Sequence, residues 1–149
     1  MESDRVNLVI PYVHSWTRSR VSGKKHFLSK SEKDFRNMVR MYCLRDSLKR
    51  QYPTPFVLQP NNVKLICRFY IASRVRHDVD NLVKSIMDAL QNYKTTSGGR
   101  TVEVDGIGFE NDSQVSEIHA RILRQNAPCN LSEITIINLG DNEYEESQI

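Results

Sequence analysis

The chain has 149 residues, 39% of them hydrophobic and 26% charged, which is ordinary for a soluble globular protein. This length is enough for one domain whose hydrophobic core is stable without disulfides or a structural metal. No apolar run is long enough to cross a bilayer, and no N-terminal signal pattern is present, so we expect a cytoplasmic protein. The three cysteines are odd in number and widely spaced, which argues against a disulfide framework. The four histidines stand apart and no C-x-x-C pair occurs, so a structural zinc site is not favoured.

The net charge of +3 conceals an asymmetry along the chain. Residues 140–149 contain four acids and no base, so residues 1–139 carry 21 bases against 14 acids. Residues 18–50 alone contain 11 bases and three acids. A basic body of this kind favours binding to nucleic acid, although a lysine-rich, solvated helix face explains the charge equally well. We expect one domain over residues 1–139, followed by a disordered acidic tail.

The first half of the chain predicts a strand, a loop and a helix. Residues 6–13 are mostly apolar and predict a central strand, and residues 14–30 form a loop rich in serine, glycine and bases. A Ser-x-x-acid capping signal within residues 29–34 then precedes an amphipathic helix. Its apolar residues follow the helical period at Phe35, Met38, Val39 and Tyr42. The prolines in "YPTPF" end this helix.

The second half predicts a strong strand over residues 63–72 and a helix from Asp80 to about Tyr93. A glycine-rich connection follows and contains a short strand at residues 101–104. Two further strands are predicted over residues 113–124 and 132–139. The order β-α-β-α-β-β predicts an α+β domain in which two main helices cover one face of a small mixed sheet.

Two aspartates, Asp78 and Asp80, lie where the strong strand gives way to the second helix, and Lys84 follows one turn later. In an extended segment, residues two apart point to the same side, so both carboxylates can converge on one cation. Magnesium prefers such oxygen ligands, and Asp112, before a later strand, is a candidate third acid. The alternative is helix capping, because aspartate favours the N-cap and the positive end of the helix dipole. The residues alone leave both interpretations open.

A longer motif surrounds these residues. The segment "DVDNLVKSIMDAL" followed by "NDSQV" resembles the signature of the RusA-type Holliday junction resolvases, D-x-D-N-x-x-K-x-x-x-D-A-L and then D-D-x-Q. An upstream element of that family also has a counterpart here, "FLSKSEKDFRN". The resemblance spans most of residues 6–139, and the first string fixes seven positions in order. It is therefore much more specific than the D-x-D pair alone.

The resemblance implies a magnesium-dependent endodeoxyribonuclease, with Mn²⁺ as a substitute, that resolves four-way DNA junctions by paired nicks as a homodimer. Its catalytic, metal-binding aspartates fall on Asp78, Asp80 and Asp112, and its catalytic lysine falls on Lys84. Two departures matter here: Asn111 replaces the first acid of the D-D pair, and the connection before it is longer than in compact members. That connection contains three outside candidates for a further ligand: Glu103, Asp105 and Glu110.

Two other residues of the motif have both a functional and a structural interpretation. Asp88 either orients Lys84 through an i, i+4 pair or forms an ordinary surface ion pair. Asn81 is expected to tie the link to the helix by side-chain hydrogen bonds.

The predicted DNA contacts are basic and aromatic side chains. Phosphate binding is assigned to Arg18, Arg20, Lys24, Lys25, Arg74 and Arg76, with His26 beside them. Stacking on an unpaired base is assigned to Tyr12, Trp16 or Phe27, with core packing as the alternative for Trp16. Two rival functions remain: a DNA-binding accessory protein of recombination or replication that no longer cuts, and a metal-dependent hydrolase of small nucleotides.

Overall fold

The computed structural model describes residues 5–15, 21–22, 25–26, 30–50, 62–72, 76–91, 93–104, 109, 111–124 and 129–140. Two helices and eight strands lie in these ranges. The helices are α1 (Lys30–Arg50) and α2 (Val79–Leu90). The strands are β1 (Arg5–Ile10), β2 (Val21–Ser22), β3 (Lys25–His26), β4 (Asn62–Ile71), β5 (Tyr93–Ser97), β6 (Arg100–Val104), β7 (Val115–Arg124) and β8 (Leu131–Gly140).

Four strands form a mixed sheet in the order β1-β8-β4-β7. The strand β8 runs antiparallel to both β1 and β4, whereas β4 and β7 are parallel. Among the described strands, β1 and β7 are therefore the edges of this sheet, and the prediction of β1 as a central strand is wrong. The residues of β1 alternate between exposed and buried. Such alternation indicates one buried face and does not determine how many strands lie beside it.

The hydrophobic core lies between one face of this sheet and the two helices. The predicted apolar face of β4 is buried in full: Val63, Leu65, Cys67, Phe69 and Ile71. From the helices, Phe35 and Val39 of α1 and Leu82, Ile86 and Leu90 of α2 pack into the same core. This arrangement confirms the predicted α+β domain with helices on one face of a mixed sheet. Neither described helix is long and apolar enough to span a membrane.

Several local differences from the prediction affect the site. Helix α2 begins at Val79 and ends at Leu90, so Asp80 already lies within the helix. The glycine-rich connection forms an antiparallel hairpin, β5–β6, of which only the second strand was predicted. Residues 112–114 form a short 3₁₀ turn before β7. In the predicted basic loop, β2 and β3 form a short antiparallel pair.

Candidate active site

A groove of about 460 Å³ runs along α2, between this helix and the edge strand β7. Of the predicted catalytic residues, Asp80, Lys84 and Asp112 line it, together with Asp88. Its apolar walls are Val79, Val83 and Met87 from the helix and Ile118 and Ala120 from the strand. In the described part of the chain, Asp78 is not part of this lining but immediately precedes it. We refer to this cavity as the α2 groove.

Three charged side chains of the α2 groove share one face of the helix. Asp80, Lys84 and Asp88 are spaced by four residues, which places them one above another at successive turns. Since each residue advances the helix by about 1.5 Å, Asp80 and Asp88 are about 12 Å apart along the helix axis. Lys84 lies midway between them, with its side chain 49% exposed.

Asp78 and Asp80 lie at the N-terminal end of α2, as the capping interpretation predicted. Asp78 is the N-cap residue of α2, and its carbonyl oxygen accepts a 3.2 Å bond from the Leu82 N–H. However, its carboxylate makes no capping hydrogen bond. Asp80 is exposed in the first turn, where the helix dipole favours a negative charge. Because α2 already begins at Val79, the strand-like alternation that we predicted for the pair is wrong.

Asp112 is held in a 3₁₀ turn by its neighbours. The Asn111 side-chain oxygen accepts a 2.9 Å hydrogen bond from the Ser113 N–H, and the Asn111 N–H donates to Gln114 Oε1 at 3.1 Å. This reciprocal pair is a capping box. An aspartate offers the same acceptor oxygen, so Asn111 keeps the turn although it departs from the family pattern.

The Asp112 turn is attached to the C-terminal end of α2. The Asp112 N–H donates a 2.9 Å hydrogen bond to Gln91 Oε1, and Gln91 Nε2 donates to Asp88 Oδ1 at 3.3 Å. Nearby, the N–H of the fully buried Phe109 donates to the Leu90 carbonyl oxygen at 3.3 Å. Gln91 thus links the Asp112 backbone to the Asp88 side chain, yet the sequence did not single it out. Glutamine is ordinary at a helix end, and its partner is 21 residues away.

Asp88 connects the two helices as well as pairing with Lys84. Its Oδ2 atom lies 3.8 Å from Lys84 Nζ, as the i, i+4 spacing predicted, and 3.8 Å from Arg36 Nη2 on α1. The Asp88 side chain is only 14% exposed. Burial raises the pKa of this carboxyl group, Lys84 and Arg36 oppose the rise, and the charges of Glu32 and Asp112 add to it. The Lys84–Asp88 contact is therefore not an ordinary surface ion pair, because Asp88 is largely buried and also pairs with Arg36 of the other helix.

Helix α1 contributes a buried polar cluster beneath this pair. Glu32 and Arg36 are buried, and Glu32 Oε1 lies 2.7 Å from His14 Nε2. The His14 ring stacks on Phe35 with 5.0 Å between ring centroids. We call His14, Glu32, Arg36 and Asp88 the α1–α2 polar cluster. It explains why the string "FLSKSEKDFRN", which contains Glu32 and Arg36, accompanies the aspartate motif.

The acidic residues match the donor chemistry of a hard divalent cation. Magnesium is usually held by one or two carboxylates, with water and substrate phosphate completing its octahedron. Asp78 and Asp80 are exposed at one end of α2, and Asp112 lies at the other end, near Asp88. Within the described ranges, no three acidic, histidine or cysteine side chains are close enough to share one ion. The donors fit Mg²⁺ or Mn²⁺, but the chain does not gather all three predicted ligands at one point.

Comparison with known families decides the identity. The family profile described as "Endodeoxyribonuclease RusA" matches residues 11–97, which is more than half of the chain. The chain belongs to the RusA family. A comparison with curated proteins gives no match. The RusA match includes α1, β4 and α2 with Asp78, Asp80 and Lys84, whereas Asp112 lies beyond its end.

The RusA family consists of endodeoxyribonucleases that act on Holliday junctions. Few of the predicted DNA contacts can be checked against the structure. Arg76 is exposed two residues before the N-cap of α2, and Tyr12 is 45% exposed, with its ring 6.1 Å from that of Phe35. Lys25 lies in β3, but only its backbone is described, and the same holds for His26. The remaining predicted contacts lie outside the described residues: Trp16, Arg18, Arg20, Lys24, Phe27 and Arg74.

Of the other residues that the sequence singled out, some are described by the structure and some lie outside the described residues. Asn81 is half-buried in the first turn of α2, and the hydrogen bonds predicted for it remain a prediction. Glu103 is exposed on β6 and is not among the residues that line the α2 groove. Asp105 and Glu110 fall outside the described residues, as does the acidic tail from residue 141 onward.

Proposed function

We propose that this RusA protein is a magnesium-dependent endonuclease that resolves four-way DNA junctions in the cytoplasm by paired nicks in opposing strands. One observation carries the proposal: Asp80, Lys84 and Asp112, which the motif assigns to catalysis, line the same groove. A domain that only bound DNA would gain nothing from acids that repel its phosphates. The carboxylate of Asp78, which makes no capping hydrogen bond and lies beside this groove, also supports the proposal.

Asp78 and Asp80 at the start of α2 and Asp112 near its end would hold one or two Mg²⁺ ions, with Mn²⁺ as a substitute. When bound, such an ion supplies a water of lowered pKa and neutralises charge on the phosphate. The chain contributes no alternative nucleophile at this place, because none of the described residues that line the α2 groove is serine, cysteine or histidine. The carboxylates repel the DNA backbone until a cation compensates them, so the approach of the scissile phosphate depends on the metal, whereas phosphate contacts to basic residues outside the groove do not.

Lys84 is proposed to stabilise the charge that develops on the scissile phosphate. The Lys84 side chain is half-exposed and lines the groove, and its ammonium group pairs with the largely buried carboxylate of Asp88. Arg36 contacts the same Asp88 oxygen from α1 and holds that carboxylate in place. A preorganised donor of this kind acts where charge appears in the transition state and costs no reorganisation.

A homodimer is part of the proposal. A four-way junction has two-fold symmetry, and resolving it requires two nicks related by that symmetry. A C2 dimer presents two equivalent grooves in the same relation. The basic residues that precede α1 and α2, Arg76 among them, are proposed to hold the junction arms through their phosphates.

The test is to measure binding and single-turnover cleavage of a synthetic four-way junction and a linear duplex, with and without Mg²⁺. The wild-type protein should nick the junction in symmetric pairs only in Mg²⁺ and leave the duplex intact. Lys84→Ala should bind the junction within a few-fold of wild type but cleave it orders of magnitude more slowly, because an interaction made in the transition state affects rate and not ground-state affinity. Lys30→Ala, which removes an exposed lysine at the start of α1, is the matched control.

The same experiment separates the resolvase from the non-cutting accessory protein. In the accessory interpretation Lys84 is one phosphate contact among many, so Lys84→Ala weakens binding and changes nothing else. Loss of affinity without a separate loss of rate in the bound complex would therefore contradict the catalytic role. Absence of cleavage by the wild-type protein at saturating Mg²⁺ and Mn²⁺ would contradict the nuclease proposal as a whole.

A further inference from the structure

The β5–β6 hairpin, residues 93–104, forms a two-stranded sheet of its own, separate from the four-stranded sheet. Its strands pair in full register from Tyr93 opposite Val104 to Ser97 opposite Arg100. Within the described part of the chain, the ribbon packs extensively against neither helix and against no strand of the main sheet. An isolated two-stranded ribbon is only marginally stable in water. Residues 98–103 of the ribbon are exposed, so this part of it is accessible to a partner.

The turn at the tip of the ribbon is built for close approach. Gly98 and Gly99 have φ angles of 59° and 79°, as a two-residue turn with positive φ at both central positions requires. Apart from the adjoining residues, no atom of the described part of the chain lies within 4 Å of the place where a Cβ would stand on either glycine. The tip is therefore bare backbone in open space, with the exposed Arg100 directly beside it.

The base of the ribbon is attached to the candidate active site. The chain enters the ribbon just after Gln91 and returns through Phe109 to Asp112. Both connections are bonded to the end of α2, through the Leu90 carbonyl oxygen and through the Gln91 side chain. Because these bonds close the base, the ribbon emerges beside the Asp112 end of the α2 groove. Anything that occupies the groove and extends past this end comes near the ribbon.

The ribbon is complementary to a DNA duplex in shape and in charge. The major groove is about 12 Å wide and accepts a two-stranded ribbon, and five residues of strand span about 17 Å. The sequence of the ribbon contains two bases, Lys94 and Arg100, and one acid, Glu103, so its formal charge is positive, and Arg100 lies next to the tip. Small, uncharged residues occupy most of the remaining positions of "KTTSGGRTVEV". Because the tip is basic and has no bulky side chains, a phosphate backbone is a better partner for it than an apolar protein surface.

We propose that the β5–β6 ribbon is a DNA-contacting arm that holds the duplex leaving the α2 groove, with Arg100 on a backbone phosphate. This inference rests on the proposed function only in taking DNA as the partner. It assigns a role to the connection that is longer here than in compact members of the family. The contact is to phosphate, so the arm adds affinity for DNA without reading its sequence.

The test compares two single-charge variants by salt-dependent binding. Arg100→Gln removes the charge at the tip, and Arg121→Gln removes an exposed base of β7 as the matched control. Affinities for a four-way junction and a duplex are measured by fluorescence anisotropy in EDTA across a series of salt concentrations. Each phosphate contact contributes about 0.9 to the slope of log affinity against log salt. Arg100→Gln should weaken binding several-fold and flatten the slope by about one, whereas Arg121→Gln should leave the slope unchanged.

A third variant removes the arm while keeping its base. Because Tyr93 and Val104 face each other in register, replacing residues 94–103 with Asn-Gly lets a two-residue turn close the shortened hairpin. This variant should lose more affinity than Arg100→Gln and keep the far-ultraviolet circular dichroism of the helices. If the shortened protein does not fold, the two point variants still decide the question.

Two outcomes would contradict the proposal that the ribbon is a DNA-contacting arm. The first is that Arg100→Gln and Arg121→Gln have the same salt slope as wild type. The second is that the shortened protein binds DNA as wild type does but sediments as a monomer where wild type is a dimer, which would assign the ribbon to a second copy of the chain. Because binding is measured in EDTA, an uncut junction in the cleavage assay contradicts the nuclease proposal without affecting this result.

Discussion

The link through Gln91 provides a quantitative test of how the site is held together. Gln91→Ala removes the acceptor for the Asp112 N–H and the donor to Asp88 Oδ1. The first bond is short but exposed, and the second is long at 3.3 Å. Since a typical intramolecular hydrogen bond contributes about 0.5–1.5 kcal/mol, these two together contribute about 1 kcal/mol.

The expected effects on stability and on cleavage differ in size. For a domain of about 150 residues, a loss of about 1 kcal/mol lowers Tm by roughly 2–4 °C. Cleavage should fall much further, because a displacement of about 1 Å in a catalytic group can cost roughly 10²-fold in rate. Thermal unfolding followed by circular dichroism and single-turnover junction cleavage measure the two effects on the same preparation.

Two further variants make this test specific. Thr135→Val removes a 2.8 Å side-chain bond to Asn7 on the opposite face of the sheet, so it should lower Tm by a similar amount and leave cleavage unchanged. Gln91→Glu keeps an acceptor for the Asp112 N–H but introduces a second carboxylate beside Asp88, so it should be less stable than Gln91→Ala at neutral pH. If Gln91→Ala and Thr135→Val lower Tm equally and both cleave at the wild-type rate, the positioning role of Gln91 is refuted.

Two remaining predictions concern titratable groups. Burial raises the pKa of Asp88 above its value in the unfolded chain, so ionisation of Asp88 lowers the stability of the native protein as the pH rises through the raised pKa. The unfolding free energy of Asp88→Asn minus that of wild type should therefore grow from acid to neutral pH. If this difference shrinks instead, Arg36 and Lys84 outweigh the effect of burial. Burial raises the pKa of Cys67 to about 12, so iodoacetamide at pH 8 should label the exposed Cys129 and spare Cys67 in the native protein, and peptide mass mapping that finds both labelled equally fast would contradict the structure.

The elements with strong local patterns could be predicted from the sequence. Strand β4 alternates apolar residues over its whole length, and α2 repeats them at the helical period, so each pattern indicated both the element and its buried face. The hairpin was only half predicted, although two glycines between alternating residues are a known signal for its turn. The edge position of β1 could not be predicted, because its partner β8 lies more than 120 residues away.

The motif identified the charged residues of the groove but not the residues that support them. Arg36 meets Asp88, and His14 meets Glu32, through contacts between separate elements, so no local spacing relates the members of either pair. Gln91 reaches Asp112 across 21 residues for the same reason. The electrostatic consequence, a raised pKa at Asp88, follows from burial between two helices and has no counterpart in the sequence.

The arrangement of the acids along α2 follows from the topology of the sheet. Asp78 and Asp80 come after the end of β4, whereas Asp112 precedes the start of β7, which runs parallel to β4. Helix α2 returns antiparallel to β4, so its first turn lies near the end of that strand and its last turn near the start of β7. The two sets of acids consequently lie at opposite ends of one helix. Lys84 lines the α2 groove one turn from Asp80 and one turn from Asp88, which is about 6 Å along the helix axis from each. Under the proposed function, a phosphate bound beside Lys84 would therefore lie between the acids at the two ends of the helix.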